Sequence, residues 1–202
     1  MTDVAVRDLR VVYQRGGEPA VDGVSFELRR GDGLLIAGDP GAGKTSVLRA
    51  LLGLVVASGE VTVFGHAPGD PALAGRIGYG PQGRTFTEAH SPRAIVRLVG
   101  RIRGIRDAAA GDDALERAGI PPGRRDSRVL DMEELRRAAL ACALVGDPDL
   151  IVLDDPWEFP ETVAEIARAR GRGAAVLAAS HDPGGLPDLL GRTITLVNGS
   201  AA

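Results

Sequence analysis

Gly38-Asp39-Pro40-Gly41-Ala42-Gly43-Lys44-Thr45 fits the pattern G-x-x-x-x-G-K-[ST], and its flanks decide the fold. The run Leu34-Leu35-Ile36-Ala37 before it predicts a buried strand. Val47-Leu48-Arg49-Ala50-Leu51-Leu52 after it predicts a helix. A glycine-rich turn between the two lets successive backbone N–H groups point inward around a phosphate. The helix N-terminus adds partial positive charge at the same point. Gly38, Asp39, Pro40, Gly41, Ala42, Gly43 and Ser46 are therefore expected around a bound nucleotide's phosphates. Lys44 would reach the β- and γ-phosphates, and the Thr45 hydroxyl would ligate Mg²⁺.

A second stretch supports the first. Leu150-Ile151-Val152-Leu153-Asp154-Asp155 reads as a strand buried on both faces that ends in two carboxylates. In an α/β sheet, ligands gather at the C-terminal ends of the strands. Asp154 is expected to face Thr45 and hold Mg²⁺, directly or through water. Asp155 is expected to act on the attacking water as a general base. His181 follows the apolar run Ala175-Val176-Leu177-Ala178-Ala179-Ser180 and would contact the γ-phosphate or orient that water. Gln82 ends another short strand after Tyr79-Gly80-Pro81, where its amide oxygen would reach Mg²⁺ or water.

Around these stretches the chain alternates strands and helices. Residues 4–6, 9–13 and 24–28 predict strands, with Gly16-Gly17 and Asp22-Gly23 as turns and antiparallel pairing. Further strands are expected over 59–64, 77–79, 174–179 and 193–197. Ser91 is a good N-cap with Pro92 at the first helical position, and Ile95, Leu98, Val99 and Ile102 share one helical face. Asp112 or Asp113 is expected to cap a short helix that stops near Gly119. Helices are also expected over 131–145 and 161–170. This order predicts an α/β core with a mostly parallel sheet.

The 202 residues suffice for one domain with a sizeable core. A net charge of −3 provides no global attraction to nucleic acid or anionic lipid. No apolar stretch approaches the roughly 20 residues of a membrane span, and the first residues do not read as a secretory signal. Cys142, alone of its kind, lies in an apolar helical run and reads as a small buried residue in a reduced compartment.

The order of these parts resembles the ATP-binding cassette (ABC) ATPases over nearly the whole chain. Lys44 and its loop match the family's Walker A motif, Gln82 its Q-loop, residues 150–155 its Walker B strand and Ser180-His181-Asp182 its switch-histidine loop. Tyr13 resembles the aromatic residue that stacks on adenine. Residues 136–148 resemble the helix between the signature motif and Walker B. The resemblance implies a P-loop NTPase fold of the RecA-like type: a mostly parallel sheet, an antiparallel β subdomain and an inserted helical subdomain. It divides the single domain 1–202 into a core of 1–84 and 146–202 and a helical subdomain of 85–145. It further implies ATP and Mg²⁺ as cofactors, and a second ABC ATPase subunit as homo- or heterodimer partner. A separate transmembrane subunit would meet the region 82–106, with the chain at the cytoplasmic, inner face of the membrane. Nucleic acid is not among the expected partners.

Three departures bear on turnover. The family signature LSGGQ, which grips the γ-phosphate bound to the opposite subunit, is here Leu130-Asp131-Met132-Glu133-Glu134. A carboxylate 4 Å from a phosphate charge costs about 4 kcal/mol per unit pair at an effective dielectric near 20. Asp131 and Glu134 have the spacing of a capping box, which would turn the helix's N–H groups inward. Asp155 stands where the family has glutamate, one methylene longer, and a misplacement of ~1 Å costs on the order of 10²-fold in rate. Pro156-Trp157-Glu158-Phe159-Pro160-Glu161 keeps little of the family's D-loop, and its aromatic pair is either a partner-facing patch or cover for the core. The leading expectation is the ATP-binding subunit of a transporter, with slow hydrolysis as a weak ABC-type ATPase. The alternative is a non-hydrolytic regulatory or assembly subunit.

Overall fold

The computed structural model describes residues 2–14, 16–82, 90–156 and 158–202. Strand β1 (Thr2–Val11) pairs antiparallel with β2 (Val21–Arg29) and β4 (Ala57–Val63), in the order β2-β1-β4. The two strands expected over 4–6 and 9–13 are thus one strand, which the sequence reading split. Its register with β2 shifts between Val6 and Leu9, and Asp8 there has φ 50°. The extra residue makes a bulge, so the apolar period breaks without ending the strand. Asp22-Gly23 also lies inside β2 rather than in a turn: Val21, Val24, Phe26 and Leu28 are all buried on one side.

The second sheet has the order β5-β6-β7-β3-β8-β9. Its strands are β3 (Gly33–Ala37), β5 (Ile77–Gly80), β6 (Leu150–Asp154), β7 (Ala175–Ser180), β8 (Thr193–Val197) and β9 (Ser200–Ala201). All neighbours pair in parallel except β8 and β9. Strand β3 lies in the middle and carries the glycine-rich turn at its C-terminal end. Side chains alternate across a strand, so Leu34 and Ile36 enter one core while Leu35 enters another. The first core lies between this sheet, the antiparallel sheet and helix α1 (Lys44–Leu51). The second is closed by helices α2 (Pro92–Ile102), α3 (Ala108–Arg117), α4 (Met132–Leu144), α5 (Pro160–Gly171) and α6 (Leu186–Leu190). Burial of each Leu, Ile or Val contributes roughly 1.5–3 kcal/mol, so both faces hold β3 rigidly under the turn.

Ser91 caps α2 as expected: its Oγ accepts from the Ala94 N–H at 3.3 Å, and Pro92 opens the helix. Helix α3 starts earlier than expected. Its cap is Asp107, whose carboxylate accepts from the Ala109 N–H at 2.9 Å. Asp112 and Asp113 are mid-helix and bind Arg93 and Arg117 instead. Among the described residues, no helix is long and apolar enough to cross a membrane.

Candidate nucleotide site

The turn after β3 holds two glycines, Gly38 and Gly43, whose places leave no room for a side chain. Gly38 and Gly43 have φ 148° and 98°. A Cβ on Gly38 would stand 2.4 Å from the Leu196 carbonyl oxygen, and one on Gly43 2.2 Å from that of Ala20. Gly43 precedes α1 and supplies no side-chain acceptor, so the first N–H groups of the helix have no such cap. The Ala42 N–H turns back to the Asp39 carbonyl at 3.0 Å. Pro40 and Gly41 form the exposed tip. Lys44 folds over this loop, its Nζ donating to the carbonyls of Gly38 at 2.7 Å and Asp39 at 2.9 Å. Glycine freedom, exposed amides and a cation at one helix N-terminus together form an anion cradle.

Thr45 Oγ1 donates to Asp154 Oδ1 at 3.0 Å. The register of β6 on β7, and of β7 on β3, brings Asp154 to this edge. Asp154 is buried, and burial raises its pKa above the ordinary carboxyl value; the Thr45 hydrogen bond opposes the shift and the Asp155 charge adds to it. Tyr79, on β5, donates its hydroxyl to Asp154 Oδ2 at 3.5 Å. Burial, then the Asp154 charge, pushes the phenol up to about 12.

Asp155 sits just past the strand with φ 53°, its N–H donating to the Ala179 carbonyl at 2.7 Å. Its Oδ1 accepts from His181 Nδ1 at 2.8 Å and from Ser180 Oγ at 3.4 Å. Its Oδ2 accepts from Gln82 Nε2 at 3.1 Å. Burial would raise its pKa, but the His181 and Gln82 hydrogen bonds outweigh that and hold it below the usual range. His181 is half exposed and opens on a cavity of about 490 Å³ lined also by Arg136, Ser180 and Asp182. Gln82 thus meets Asp155 through its amide nitrogen, next in sequence to the Asp154 of the Thr45–Asp154 pair. Tyr13, more than half exposed, hydrogen-bonds Ser46 Oγ at 3.0 Å, beside the start of α1. Tyr79 and Ser180 join the site without having been singled out for it. The signals were present: Tyr79 is opposite Val152 in the β5–β6 register, and Ser180 ends the strand before His181.

The expected capping box is present at α4. The Glu134 N–H donates to Asp131 Oδ1 at 2.8 Å, and the Asp131 N–H to Glu134 Oε2 at 3.1 Å. Two of the three carboxylates also have arginine partners in the same chain: Glu134 binds Arg124 at 2.5 Å and Glu133 binds Arg137 at 3.0 Å. The Arg124 hydrogen bond, above all, lowers the Glu134 pKa. Phe159 is part-buried under the Arg137 guanidinium, 4.6 Å from its ring centroid, and so packs on this chain. Trp157 lies outside the described residues.

A sequence profile of the family described as "ABC transporter" matches residues 21–158. The chain belongs to this family. This ABC chain is 38% identical over 192 residues to a zinc import ATP-binding protein, ZnuC, of Paracoccus denitrificans, covering 89% of the chain and 70% of that relative. It is 32% identical over 217 residues to a putative ABC transporter ATP-binding protein of Halobacterium salinarum, covering 98% and 91%. A solved ATP-binding subunit of an ABC transporter superposes with a TM-score of 0.85 at 20% identity, covering 98% of this chain and 87% of that one. A dimeric ABC cassette in a post-hydrolysis state with ADP and Pi superposes equally well, at 0.85 and 19% identity, covering 98% and 96%. Both structures share the P-loop NTPase fold. The ABC chain is an ATP-binding subunit of this transporter family.

Proposed function

We propose that the chain binds ATP with Mg²⁺ at the turn before α1 and drives a membrane-spanning partner through ATP binding, with slow hydrolysis. The observation that carries this reading is the Thr45–Asp154 hydrogen bond at 3.0 Å. A hydroxyl and a carboxylate oxygen held side by side next to an anion cradle are the hard donors Mg²⁺ takes alongside substrate phosphates. Thr45 and Asp154 would hold the ion, which would screen and orient the phosphates when bound. Gln82 would join them by leaving Asp155. The chain's own contribution is positional: residues 38–46 bind the phosphates, Lys44 supplies charge at the β- and γ-phosphates, and the Tyr13 ring lies against adenine. His181 and Asp155 stand at the γ-phosphate end as the pair that handles the attacking water.

The partners follow from the resemblance together with two surfaces. The first is an apolar groove of about 530 Å³ between β5 and α2, lined by Leu52, Leu54, Leu73, Ile77, Val99 and Ile102. It fits the transmembrane subunit, and residues 85–145 would move with it as a helical subdomain. The second is the α4 start, where a second ABC subunit would meet this one. Because the capping box satisfies the Asp131 and Glu134 N–H groups internally, this chain offers little grip on a facing ATP. A heterodimer whose other member carries an intact signature would then turn over at this chain's own site. Membership in such an assembly would put the chain at the inner face of the membrane.

The test is steady-state ATP turnover of the purified chain, alone and mixed with a cassette subunit encoded beside it. Slow turnover alone and faster turnover in the mixture support a transport ATPase. ATP binding with no turnover in either case favours the alternative of a non-hydrolytic regulatory subunit, for which the self-capped α4 is the specific support.

A further inference from the structure

Residues 92–106 hold five arginines, at 93, 97, 101, 103 and 106, and no carboxylate, in a chain whose net charge is −3. The structure sorts these arginines by partner. Arg93 is neutralised by Asp112 at 3.0 Å and Asp126 at 2.5 Å. Arg103 donates to the carbonyls of Gly75, Cys142 and Val145. Arg97 has a single long contact to the already shared Asp112, at 3.8 Å. Arg101 and Arg106 have no carboxylate partner among the described residues. The carboxylates nearby are committed elsewhere: Asp113 and Asp147 to Arg117, and Asp107 to the Ala109 N–H.

The three least neutralised arginines converge on one cavity. A space of about 330 Å³ between α2 and α3 is lined by Arg97, Arg101 and Arg106, with Val96, Ile105 and Val145 among its apolar walls. Gly100 and Gly111 keep it open, each facing it without a side chain. With Arg93 and its two carboxylates counted, four guanidiniums stand against Asp107, Asp112 and Asp126, an excess of one positive charge that falls on the Arg101 and Arg106 side of the rim. Guanidinium forks match phosphate oxygens bidentately, and the volume lies at the lower end for small-molecule sites. An apolar wall under a cationic rim suits an anion carried on an apolar body, not a bare ion.

We propose that the α2–α3 cavity is a binding site for a phosphomonoester on a short apolar body, separate from the nucleotide site. Arg101 and Arg106 grip the phosphate, Arg97 completes the rim, and the body lies on Val96, Ile105 and Val145. The same chemistry is offered by a free organic phosphate and by a lipid whose headgroup is a phosphomonoester.

The test is calorimetric titration with hexyl phosphate, run in the Lys44→Ala variant so that the glycine-rich loop does not compete, and again in Lys44→Ala with Arg101→Gln and Arg106→Gln. Both arginines are exposed, so the fold survives their loss, which unchanged thermal unfolding verifies. Binding in the first protein that weakens at least ~tenfold in the second supports the site. Absence of binding, or equal binding in the two proteins, overturns it. Inorganic phosphate binding as tightly as hexyl phosphate overturns the role of the apolar wall. Co-sedimentation with phosphatidylcholine vesicles, with and without phosphatidic acid, distinguishes a lipid source from a free one. None of these outcomes depends on ATP binding, since no nucleotide is present in the titrations.

Discussion

Thr45 Oγ1 and Asp154 Oδ1 meet at 3.0 Å although 109 residues separate them in the chain. One belongs to the helix after β3 and the other ends β6, with β7 paired between the two strands. The contact exists only because the parallel register is held along all three strands. It predicts a divalent-ion effect separable from nucleotide binding itself. Thr45→Val keeps the shape and removes the oxygen. ATP affinity with Mg²⁺ should weaken by about 10–100-fold, the loss of one hydrogen-bond or ligand contact to a charged group. Affinity measured in EDTA should change far less. Equal losses in both conditions would place Thr45 outside the metal's reach.

Asp154 makes a second prediction, opposite in sign for stability and for binding. Burial raises its folded-state pKa above the unfolded value, so the ionised form is penalised in the folded protein. For a carboxyl shifted upward, stability is lost as pH rises from the unfolded value through the folded one, and the penalty is full at neutral pH. Asp154→Asn keeps an oxygen to accept from Thr45 and removes the charge. The nucleotide-free variant should melt higher than the parent at pH 7, and the gap should close toward about pH 4, near the ordinary aspartate range. The same variant should bind Mg²⁺·ATP more weakly. A lower melting temperature at neutral pH would show that the Asp154 charge is stabilising in the empty site.

The start of α4 bears on turnover. Replacing Asp131, Met132, Glu133 and Glu134 by Ser, Gly, Gly and Gln removes three carboxylates and both arginine pairs, while Ser-x-x-Gln keeps the spacing of a capping box. The two glycines near the helix start cost up to about 1 kcal/mol each, and the lost Arg124 and Arg137 pairs add to that. Urea unfolding should show this cost. ATP turnover should rise if the three carboxylates are what repel a facing nucleotide. Lower stability without faster turnover would mean that the Asp155 site limits the rate.

Local features of this protein were legible in its sequence. The phosphate turn, the Ser91–Pro92 helix start and the Asp131–Glu134 box each depend on residues within a few positions of one another. The failures depend on distant partners. Asp112 looked like a cap because nothing in the sequence shows that Arg93 binds it, leaving Asp107 to cap α3. The bulge at Asp8 hid the continuity of β1, since a one-residue insertion inverts the apolar period. Helix α6 lies among Pro183, Gly184, Gly185 and Pro187, whose breaker character masked its single turn of buried Leu186 and Leu190. Gln82 is expected at this edge of the sheet, but its contact with Asp155 depends on the backbone turn at Asp155, which no local pattern in the sequence shows.

The measurement closest to the central claim is calorimetric titration of ATP with Mg²⁺ into the parent chain and into Lys44→Ala. The Lys44 ammonium, now satisfied by two carbonyls of its own loop, is the cation this account gives to the β- and γ-phosphates. The parent should bind one ATP per chain, and the variant at least ~100-fold more weakly, with its thermal unfolding in the absence of nucleotide little changed. Unaltered affinity in a folded Lys44→Ala protein would contradict the account, because the triphosphate would then lie somewhere other than the turn before α1.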